Sequence, residues 1–274
     1  MKFADLHVHT IFSDGTSTPA ELISAAREAN IDAVSVTDHD TVAGIGPATE
    51  IGLLKNVEVI PGIELTAEFE GAEVHILGYL LDYNNQVLLD KLQEVQNDRV
   101  ERVYKIAGKL REIGVALDPR IIFDIAGKGI PGRLHIARAM VKEGIVENTF
   151  EAFRKYLGDK SPAFVLGFRF QPADAISLIR SVGGIPVLAH PYLFGRDEFI
   201  PLLVEKGLMG LEVYYTEHSQ SQINYYRGLA EKYRLLITGG SDFHGGAKQN
   251  IRVGEAKIPY ELVERLKDAK QKLT

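Results

Sequence analysis

The sequence predicts an α/β barrel with a helical insertion, and three observations support this fold class. Short, apolar, β-branched segments alternate with amphipathic helical segments, which indicates a parallel sheet flanked by helices. Several predicted strands end in histidine or carboxylate residues, as in a closed barrel whose active site forms at the C-terminal rim. One segment near the middle of the chain breaks the alternation and is helical throughout. The 274 residues are enough to bury a core of this size.

The first predicted strand carries residue types that bind metals. It contains Asp5-Leu6-His7-Val8-His9 and is followed by Ser13-Asp14-Gly15. Side chains alternate between the faces of a strand, so His7 and His9 share a face, with Asp5 behind them. Imidazole and carboxylate suit zinc, manganese or iron, and no thiolate can compete because the chain has no cysteine. The stretch predicts a metal site, although a surface strand with two incidental histidines would look the same locally.

The next two elements follow from capping and periodicity. Thr18-Pro19-Ala20-Glu21 is typical of a helix start, with Thr18 as N-cap and Glu21 completing a capping box. Apolar residues then recur at helical spacing up to Asn30. The β-branched run 33–37 predicts a buried strand that leads into Asp38-His39-Asp40.

The strand pattern recurs along the rest of the chain. Strands are predicted over 57–65 with Glu64, over 74–79 with His75, over 185–189 ending at His190, over 210–214, and over 235–238 leading to Asp242 and His244. Six histidines therefore lie on or after apolar strands. Burying so many titratable groups unpaired would cost roughly several kcal/mol each, so a shared metal cluster explains them better than six separate core positions.

Residues 83–171 are predicted to form the insertion. Residues 85–114 have the pattern of one long amphipathic helix, and shorter helical segments follow at 133–142 and 148–157. We expect barrel segments 1–82 and 172–274 to enclose this insertion. It contains 15 Lys+Arg against 11 Asp+Glu, whereas the whole chain has a net charge of −6. The insertion could be a packing cap, but its local positive charge favours a lid that holds an anion over the rim.

Composition excludes several classes of protein. A net charge of −6 argues against a general nucleic-acid coat protein. No apolar run approaches the ~20 residues of a membrane span, and the first residues lack a secretory leader pattern. We therefore expect a cytoplasmic location, no membrane partner and no obligate protein partner. The absence of cysteine excludes disulfides and thiol catalysis.

Taken together, the motifs resemble those of the PHP (polymerase and histidinol phosphatase) phosphoesterases. The matching motifs are Asp5-Leu6-His7-Val8-His9-Thr10, Ser13-Asp14-Gly15, Thr37-Asp38-His39-Asp40, Gly62-Ile63-Glu64, Val74-His75-Ile76, Ala189-His190-Pro191 and Ser241-Asp242-Phe243-His244. The resemblance covers nearly the whole chain. It implies a distorted (β/α)₇ TIM-like barrel and a metal-dependent phosphoric ester hydrolase.

The resemblance also implies a ligand set for two or three divalent ions, with manganese expected and zinc or iron as alternatives. The implied groups are His7, His9, Glu64 and Asp242 for one ion, Glu64, His75 and His190 for a second, and Asp14, His39 and His244 for a third. Glu64, Asp242 and His244 are the expected catalytic residues. Catalysis is expected to proceed by attack of a metal-activated hydroxide. Asp5, Asp38 and Asp40 are expected to orient ring nitrogens of the ligands.

Within the family, two motifs of the insertion indicate a substrate. Pro131-Gly132-Arg133-Leu134-His135-Ile136-Ala137-Arg138 and Tyr156-Leu157-Gly158-Asp159-Lys160 resemble small bacterial members that remove the 3′-phosphate of nucleoside 3′,5′-bisphosphates and trim RNA from its 5′ end. Many relatives place Pro where Leu134 stands, and that side chain need not face the site.

The resemblance and the residue types together suggest which side chains bind this substrate. Arg133 and Lys160 would neutralise a substrate phosphate, and His135 and His218 would donate to a phosphate or protonate the leaving oxygen. Arg138 is a further substrate-binding candidate, and an exposed surface charge is its alternative interpretation.

Two alternatives remain at this point. A histidinol-phosphate phosphatase would share the barrel and the ligands, but the basic insertion with its Gly-Arg-Leu-His motif argues against it. A non-catalytic metal-binding module is the second alternative. A full ligand set without an obvious second domain to serve makes this module the weakest reading.

Overall fold

The structure is a computed structural model that describes residues 1–158, 160–167, 170–248 and 250–273. Its strands are β1 (Phe3–Val8), β2 (Ala33–Val36), β3 (Glu58–Phe69), β4 (Ala72–Tyr79), β5 (Ile185–Leu188), β6 (Gly210–Tyr215), β7 (Leu236–Gly240) and β8 (Ile258–Pro259). They form a sheet in the order β7-β6-β5-β4-β3-β2-β1-β8. The predicted α/β class is confirmed, because this sheet curves into a nearly closed barrel.

The helices lie between these strands. They are α1 (Pro19–Glu28), α2 (Ile45–Lys55), α3 (Gln86–Glu112), α4 (Pro119–Ala126), α5 (Arg133–Lys142), α6 (Thr149–Ala152), α7 (Pro172–Ser181), α8 (Pro191–Phe194), α9 (Ile200–Glu205), α10 (Gln220–Tyr233) and α11 (Glu261–Gln271). The predicted capping box of α1 is present, since the Glu21 amide donates to Thr18 Oγ1 and the Thr18 amide donates to Glu21 Oε2. None of the described helices is both long and apolar enough to cross a membrane.

The barrel closes where β1 meets β7 and the segment that follows it. The Asp242 amide donates to the His7 carbonyl at 2.8 Å, and the His9 amide donates to the Phe243 carbonyl at 2.9 Å. Gly240 permits this approach, because a Cβ there would lie 2.3 Å from the His7 nitrogen. At the other end of β1, the short strand β8 pairs antiparallel with it. Closure therefore brings the residues after β7 against the end of β1.

The sheet is not parallel throughout, which corrects the expectation from alternating strands and helices. β4 runs antiparallel to both β3 and β5, whereas the β1–β2–β3 and β5–β6–β7 pairs are parallel. The reason is the connection Glu70–Gly71, whose φ values of 49° and 81° form a two-residue hairpin too short for a crossover helix. Because β4 starts at the rim where β3 ends, His75 reaches the rim from the first half of its strand.

Helices α3 to α6 occupy the place of the predicted insertion. The second half of α3 packs with α4, α5 and the π-helical turn Phe153–Leu157 in an apolar cluster that includes Val103, Leu110 and Met140. The first half of α3 instead buries Leu88 and Leu92 in the barrel cluster. One helix thus spans both clusters and holds the other insertion helices beside the barrel rim.

Candidate metal centre and adjoining cavity

The structure brings the nine predicted ligands together at the C-terminal rim. They come from the end of β1, the loops after β1, β2, β5 and β7, and the paired strands β3 and β4. The nine are His7, His9, Asp14, His39, Glu64, His75, His190, Asp242 and His244. Barrel closure and the β3–β4 hairpin therefore gather side chains that are up to 237 positions apart in the sequence.

Glu64 lies at the middle of this cluster. Its Oε2 is 3.2 Å from a ring nitrogen of each of three histidines, His7, His9 and His39. Its Oε1 is 2.8 Å from His75 Nδ1 and 3.2 Å from His190 Nε2. The side chain is fully buried. One carboxylate thus faces five imidazoles, with each of its two oxygens directed at a different set of rings.

Two other carboxylates complete the cluster. Asp242 Oδ1 is 3.2 Å from His9 Nε2 and 3.6 Å from His7 Nε2, while its Oδ2 accepts from Lys248 Nζ at 2.5 Å. Asp14 Oδ1 is 3.2 Å from His244 Nε2. Asp242 Oδ1 is also 3.3 Å from His244 Nδ1, so both of these carboxylates approach the His244 ring.

The donor atoms fit divalent metal ions. Both ring nitrogens of His9, and Nδ1 of His39 and of His75, are buried without an aligned hydrogen bond among the described residues, although Glu64 oxygens lie 2.8–3.2 Å from one nitrogen of each ring. Buried polar atoms are rarely left in this state unless a ligand satisfies them. The potential ligand atoms fall into groups within 4.8 Å of one another, among them His9, Asp14, His39 and His244 in one group, and His39, Glu64 and His75 in another.

The electrostatics of the cluster keep the carboxylates ionised. Burial raises the pKa of Glu64, but attraction to His39, His75 and His7 outweighs it and holds that pKa well below its usual range. Burial likewise opposes ionisation of Asp242, and the charges of Lys248, His244 and His7 keep its pKa well below normal. Ionised carboxylates are the form that binds cations.

The histidines of the cluster differ in protonation. Burial lowers the pKa of His39 to about 3, and attraction to Glu64 and Asp14 offsets only part of this effect. Burial also lowers the pKa of His75, but Glu64 and Glu73 overcome it and raise the pKa to about 10. His75 therefore carries a proton that metal binding would release.

Two of the candidate ligands have a strained backbone conformation. His190 has φ 24° and ψ 63°, although it precedes Pro191 and would ordinarily be extended. Asp242 has φ 55°, in the left-handed region that favours glycine. Such conformations persist where surrounding structure enforces them, and they are common at functional sites.

The residue that orients a ligand ring is one that sequence reasoning missed. Glu212 is fully buried on β6, where its Oε1 accepts from His7 Nδ1 at 2.9 Å and its Oε2 accepts from the His190 amide at 2.7 Å. This contact fixes the tautomer of His7, with Nε2 turned toward Glu64. The available signal was a lone acidic residue in the apolar run Gly210–Tyr215.

The expected role of Asp5, Asp38 and Asp40 is corrected, because none of them hydrogen-bonds a ring nitrogen of the cluster in the described structure. Asp5 accepts from the Ser241 amide and hydroxyl, and Asp38 accepts from Thr10 and Ser13. Asp40 accepts from the Thr66 amide and from Arg99. Short polar loops beside these acids supply closer donors than the rings, so the acids fix the loops that carry the ligands.

A cavity of about 160 Å³ adjoins the cluster. Asp14, His39 and His75 form one side of it. Three arginines line it as well, namely Arg99 and Arg102 from α3 and Arg133 from the start of α5. Leu134 also lines this cavity.

The predicted substrate-binding residues are divided among different places. Arg133 is at the cavity, and its Nη2 donates to Glu73 Oε2 at 2.8 Å. His135 is buried behind the cavity, where its Nδ1 accepts from the Gly132 amide and the Ser13 backbone also hydrogen-bonds the ring. Lys160 is exposed and outside the described lining, and Asp159 of its motif lies outside the described residues.

His218 and Arg138 are also away from the cavity. His218 is buried among Tyr192, Tyr215 and Tyr226, and its Nδ1 donates to the Val213 carbonyl at 3.0 Å. Arg138 lines a separate groove beside α5. Arg99 and Arg102 were missed because they lie on a long polar helix where exposed arginine is the ordinary expectation.

Comparisons with known proteins agree with this site. Residues 5–108 match the model of the PHP domain. The chain is 32% identical over 248 residues to a 5′-3′ exoribonuclease of Haemophilus influenzae, covering 88% of this chain and 89% of that protein. It is 30% identical over 263 residues to a 3′,5′-nucleoside bisphosphate phosphatase of Chromobacterium violaceum, covering 92% and 91%.

Two further similarities extend the comparison. A phosphoribosyl 1,2-cyclic phosphate 1,2-diphosphodiesterase of Eggerthella lenta is 30% identical over 245 residues, with 88% of this chain and 94% of that protein covered. A solved structure from Bifidobacterium adolescentis, assigned as a metal-dependent phosphoesterase, superposes with a TM-score of 0.89 at 30% identity, covering 96% and 94%. The relatives share phosphoester chemistry but differ in substrate.

Proposed function

Because this chain belongs to the PHP family of metal-dependent phosphoesterases, we propose that it removes the 3′-phosphate of nucleoside 3′,5′-bisphosphates and trims RNA from its 5′ end. We also propose that the nine clustered residues hold two or three divalent ions, with manganese expected. When bound, such ions supply an activated water and neutralise charge on the phosphoryl group. The residues of the insertion, 83–171, then select the substrate.

The observation that carries this proposal is the small arginine-lined cavity next to the cluster. Sites for whole small molecules occupy roughly 300–1,000 Å³, so a cavity of about 160 Å³ suits a group such as phosphate rather than a nucleoside. Arg99, Arg102 and Arg133 offer guanidinium groups that match phosphate oxygens. A substrate with its scissile phosphate at the cluster could place a second phosphate here.

Both proposed substrates carry a 5′-phosphate that is not cleaved. In a nucleoside 3′,5′-bisphosphate the 3′-phosphate is cleaved and the 5′-phosphate stays intact. In a 5′-phosphorylated RNA, cleavage of the corresponding 3′ ester releases the first nucleotide as a 5′-monophosphate. In each case an uncleaved 5′-phosphate lies one nucleoside away from the reacting phosphorus, so one cavity can recognise both.

Neighbouring side chains hold the candidate ligands and the cavity arginines in position. Glu212 holds His7 in one tautomer, and Asp40 ties Arg99 to the loop that carries His39. Arg99 Nη2 also donates to Thr66 Oγ1 at 2.9 Å, which fixes the guanidinium at the cavity wall. Arg133 is held by Glu73, which is also 3.3 Å from His75 Nε2. The second phosphate would therefore meet positive groups that are already positioned.

A simple monoester such as histidinol phosphate would leave this cavity without an anion. The alternative remains chemically possible at the cluster itself, because metal ions bind any phosphomonoester. Substrate preference, rather than phosphatase activity as such, is thus the discriminating property.

The test is a comparison of substrates and of one variant. Metal-stripped protein reloaded with manganese is assayed on adenosine 3′,5′-bisphosphate, histidinol phosphate, a 5′-phosphorylated RNA and a simple aryl phosphate. Arg133→Ala should lower kcat/KM for the bisphosphate by roughly 10- to 100-fold, the scale of one or two lost charge-assisted hydrogen bonds, and should affect the aryl phosphate much less.

The matched control is Arg120→Ala, because Arg120 is an exposed arginine on α4 of the same insertion. It should change neither substrate. Equal losses on both substrates in Arg133→Ala would contradict recognition of the second phosphate and would favour a monoesterase.

A further inference from the structure

A groove of about 710 Å³ lies beside α5, and the function proposed above does not use it. We call it the α5 groove. Its walls include Arg138 and Lys142 of α5, Thr149 at the start of α6, and Thr16 and Gly246 from two rim loops. It is more than four times the volume of the arginine-lined cavity, so it can hold a much larger part of a substrate.

The α5 groove and the metal cluster share these two rim loops. Thr16 lies two residues after Asp14, and Gly246 lies two residues after His244. The Thr16 amide donates to the His244 carbonyl at 3.1 Å, and the Gly246 amide donates to Thr16 Oγ1 at 2.7 Å. The loops that deliver two candidate ligands therefore also form a wall of the groove.

Helix α5 connects the groove with the arginine-lined cavity. Arg133 and Leu134 line the cavity at the start of the helix, whereas Arg138 and Lys142 line the groove about one and a half and two and a half turns later. With a rise of 1.5 Å per residue, Arg133 and Arg138 are about 7.5 Å apart along the axis. Five residues also turn the helix by about 140°, so the groove lies against a different face of α5 from the cavity.

The charges facing the groove favour an anionic occupant. Arg138 is half-buried and Lys142 is exposed, and neither makes a hydrogen bond or ion pair with any residue that the structure describes. Glu147 is the acidic residue on the described lining. Two uncommitted cations against one carboxylate leave a local positive charge that a phosphate backbone would neutralise.

An exposed aromatic residue directly follows a lining residue of the groove in the chain. Phe150 follows Thr149 in α6, and its side chain is 76% exposed. Exposure of an apolar ring to water is unfavourable in free energy. Exposed aromatic rings beside basic grooves are the usual platforms on which the bases of single strands stack, without regard to sequence.

From these observations we propose that the α5 groove binds the RNA strand downstream of the scissile phosphate. Arg138 and Lys142 neutralise backbone phosphates, and Phe150 stacks on a base. The proposal rests on the proposed function for the identity of the strand. A nucleoside bisphosphate ends at the cluster and does not reach the groove. Changes in the groove should therefore affect RNA and leave the bisphosphate unaffected.

Binding without turnover provides the first test. A 5′-phosphorylated hexaribonucleotide with a 3′ fluorophore is titrated in EDTA, which prevents hydrolysis. Phe150→Ala should raise Kd about tenfold, and Phe150→Tyr, which keeps the ring, should restore binding. Arg138→Gln and Lys142→Gln should each reduce the slope of log Kd against log salt concentration by about 0.7. Lys55→Gln, on the outer helix α2, is the matched control and should have no effect.

Turnover provides the second test. With manganese-loaded protein, Phe150→Ala should lower kcat/KM for the hexanucleotide about tenfold relative to that for adenosine 3′,5′-bisphosphate. Equal Kd values for Phe150→Ala and the unmodified protein, with an unchanged salt slope in Lys142→Gln, would overturn the groove assignment. Groove-dependent binding in a protein that hydrolyses neither substrate would instead support the groove and overturn the proposed function.

Discussion

Glu64 is the residue on which the candidate centre depends, because its two oxygens face five imidazole rings. Glu64→Ala should therefore abolish turnover and release bound metal, while the barrel remains folded. Elemental analysis of the purified protein measures the metal, and circular dichroism measures the fold. Glu64→Ala protein with full activity and unchanged metal content would contradict the bridging assignment.

Glu212 acts through His7 rather than on substrate. Removing its charge in Glu212→Gln should weaken metal binding by about 10- to 100-fold, the usual effect of losing a carboxylate that orients a ligand histidine. The activity of stripped protein titrated with manganese measures this shift, and activity should recover at high metal concentration. Glu217→Gln, at an exposed glutamate on the following loop, is the control. If both variants needed the same manganese concentration, the positioning role would be wrong.

At the scale of elements, the contact between β1 and β7 assembles the site. Gly240→Ala would place a Cβ 2.3 Å from the His7 nitrogen and 2.4 Å from its Cβ. The two strands must then separate, which should destabilise the fold by roughly 1–3 kcal/mol and weaken metal binding, since His7 and Asp242 flank this contact. Urea denaturation and metal titration measure the two effects.

The matched control for this strand contact is Gly228→Ala, on α10. A Cβ there meets no atom within 4 Å, and alanine favours a helix, so stability should be unchanged or slightly higher. If Gly240→Ala behaved like Gly228→Ala, close packing of β1 against β7 would not be required.

The reversed strand β4 shows how a short connection changes the site. The hairpin at Glu70–Gly71 keeps Glu64 and His75 on adjacent strands, where β3 and β4 pair from Gly62 to Phe69. A crossover helix in its place would have put the start of β4 at the opposite end of the barrel. The antiparallel pair is therefore what delivers His75 to Glu64.

At the scale of the whole molecule, the cluster couples metal binding to stability. Each ion that binds the folded cluster and not the unfolded chain should stabilise it by about 2.7 kcal/mol at a hundredfold excess over Kd. For a chain of this size that corresponds to a rise in Tm of roughly 5–10 °C. Differential scanning calorimetry with manganese and with EDTA measures this difference.

The same scans on Glu64→Ala protein provide the control for this prediction. Its Tm should rise clearly less with manganese, because Glu64 belongs to two of the three implied ligand groups and only the group of Asp14, His39 and His244 is left intact. An equal rise in both proteins would show that manganese stabilises the molecule at some other place.

The sequence was sufficient to predict the α/β class and, with the family resemblance of its motifs, the nine residues that the structure gathers at the rim. Local signals carried this information: the alternation of His7 and His9 on a strand, the capping box at Thr18, and acids or histidines at the ends of apolar runs. Each depends on neighbours within a few positions, which a single sequence displays directly.

Tertiary structure decided what depends on distant segments meeting. The contact of Glu212 with His7, the arginines of α3 at the cavity, the burial of His135 behind it and the separation of His218 from it all join segments far apart in the chain. Their positions follow from barrel closure, the reversed strand β4 and the packing of α3 on the barrel. Such side-chain meetings leave no periodic pattern in the sequence, because the energy that selects them arises only when the fold is complete.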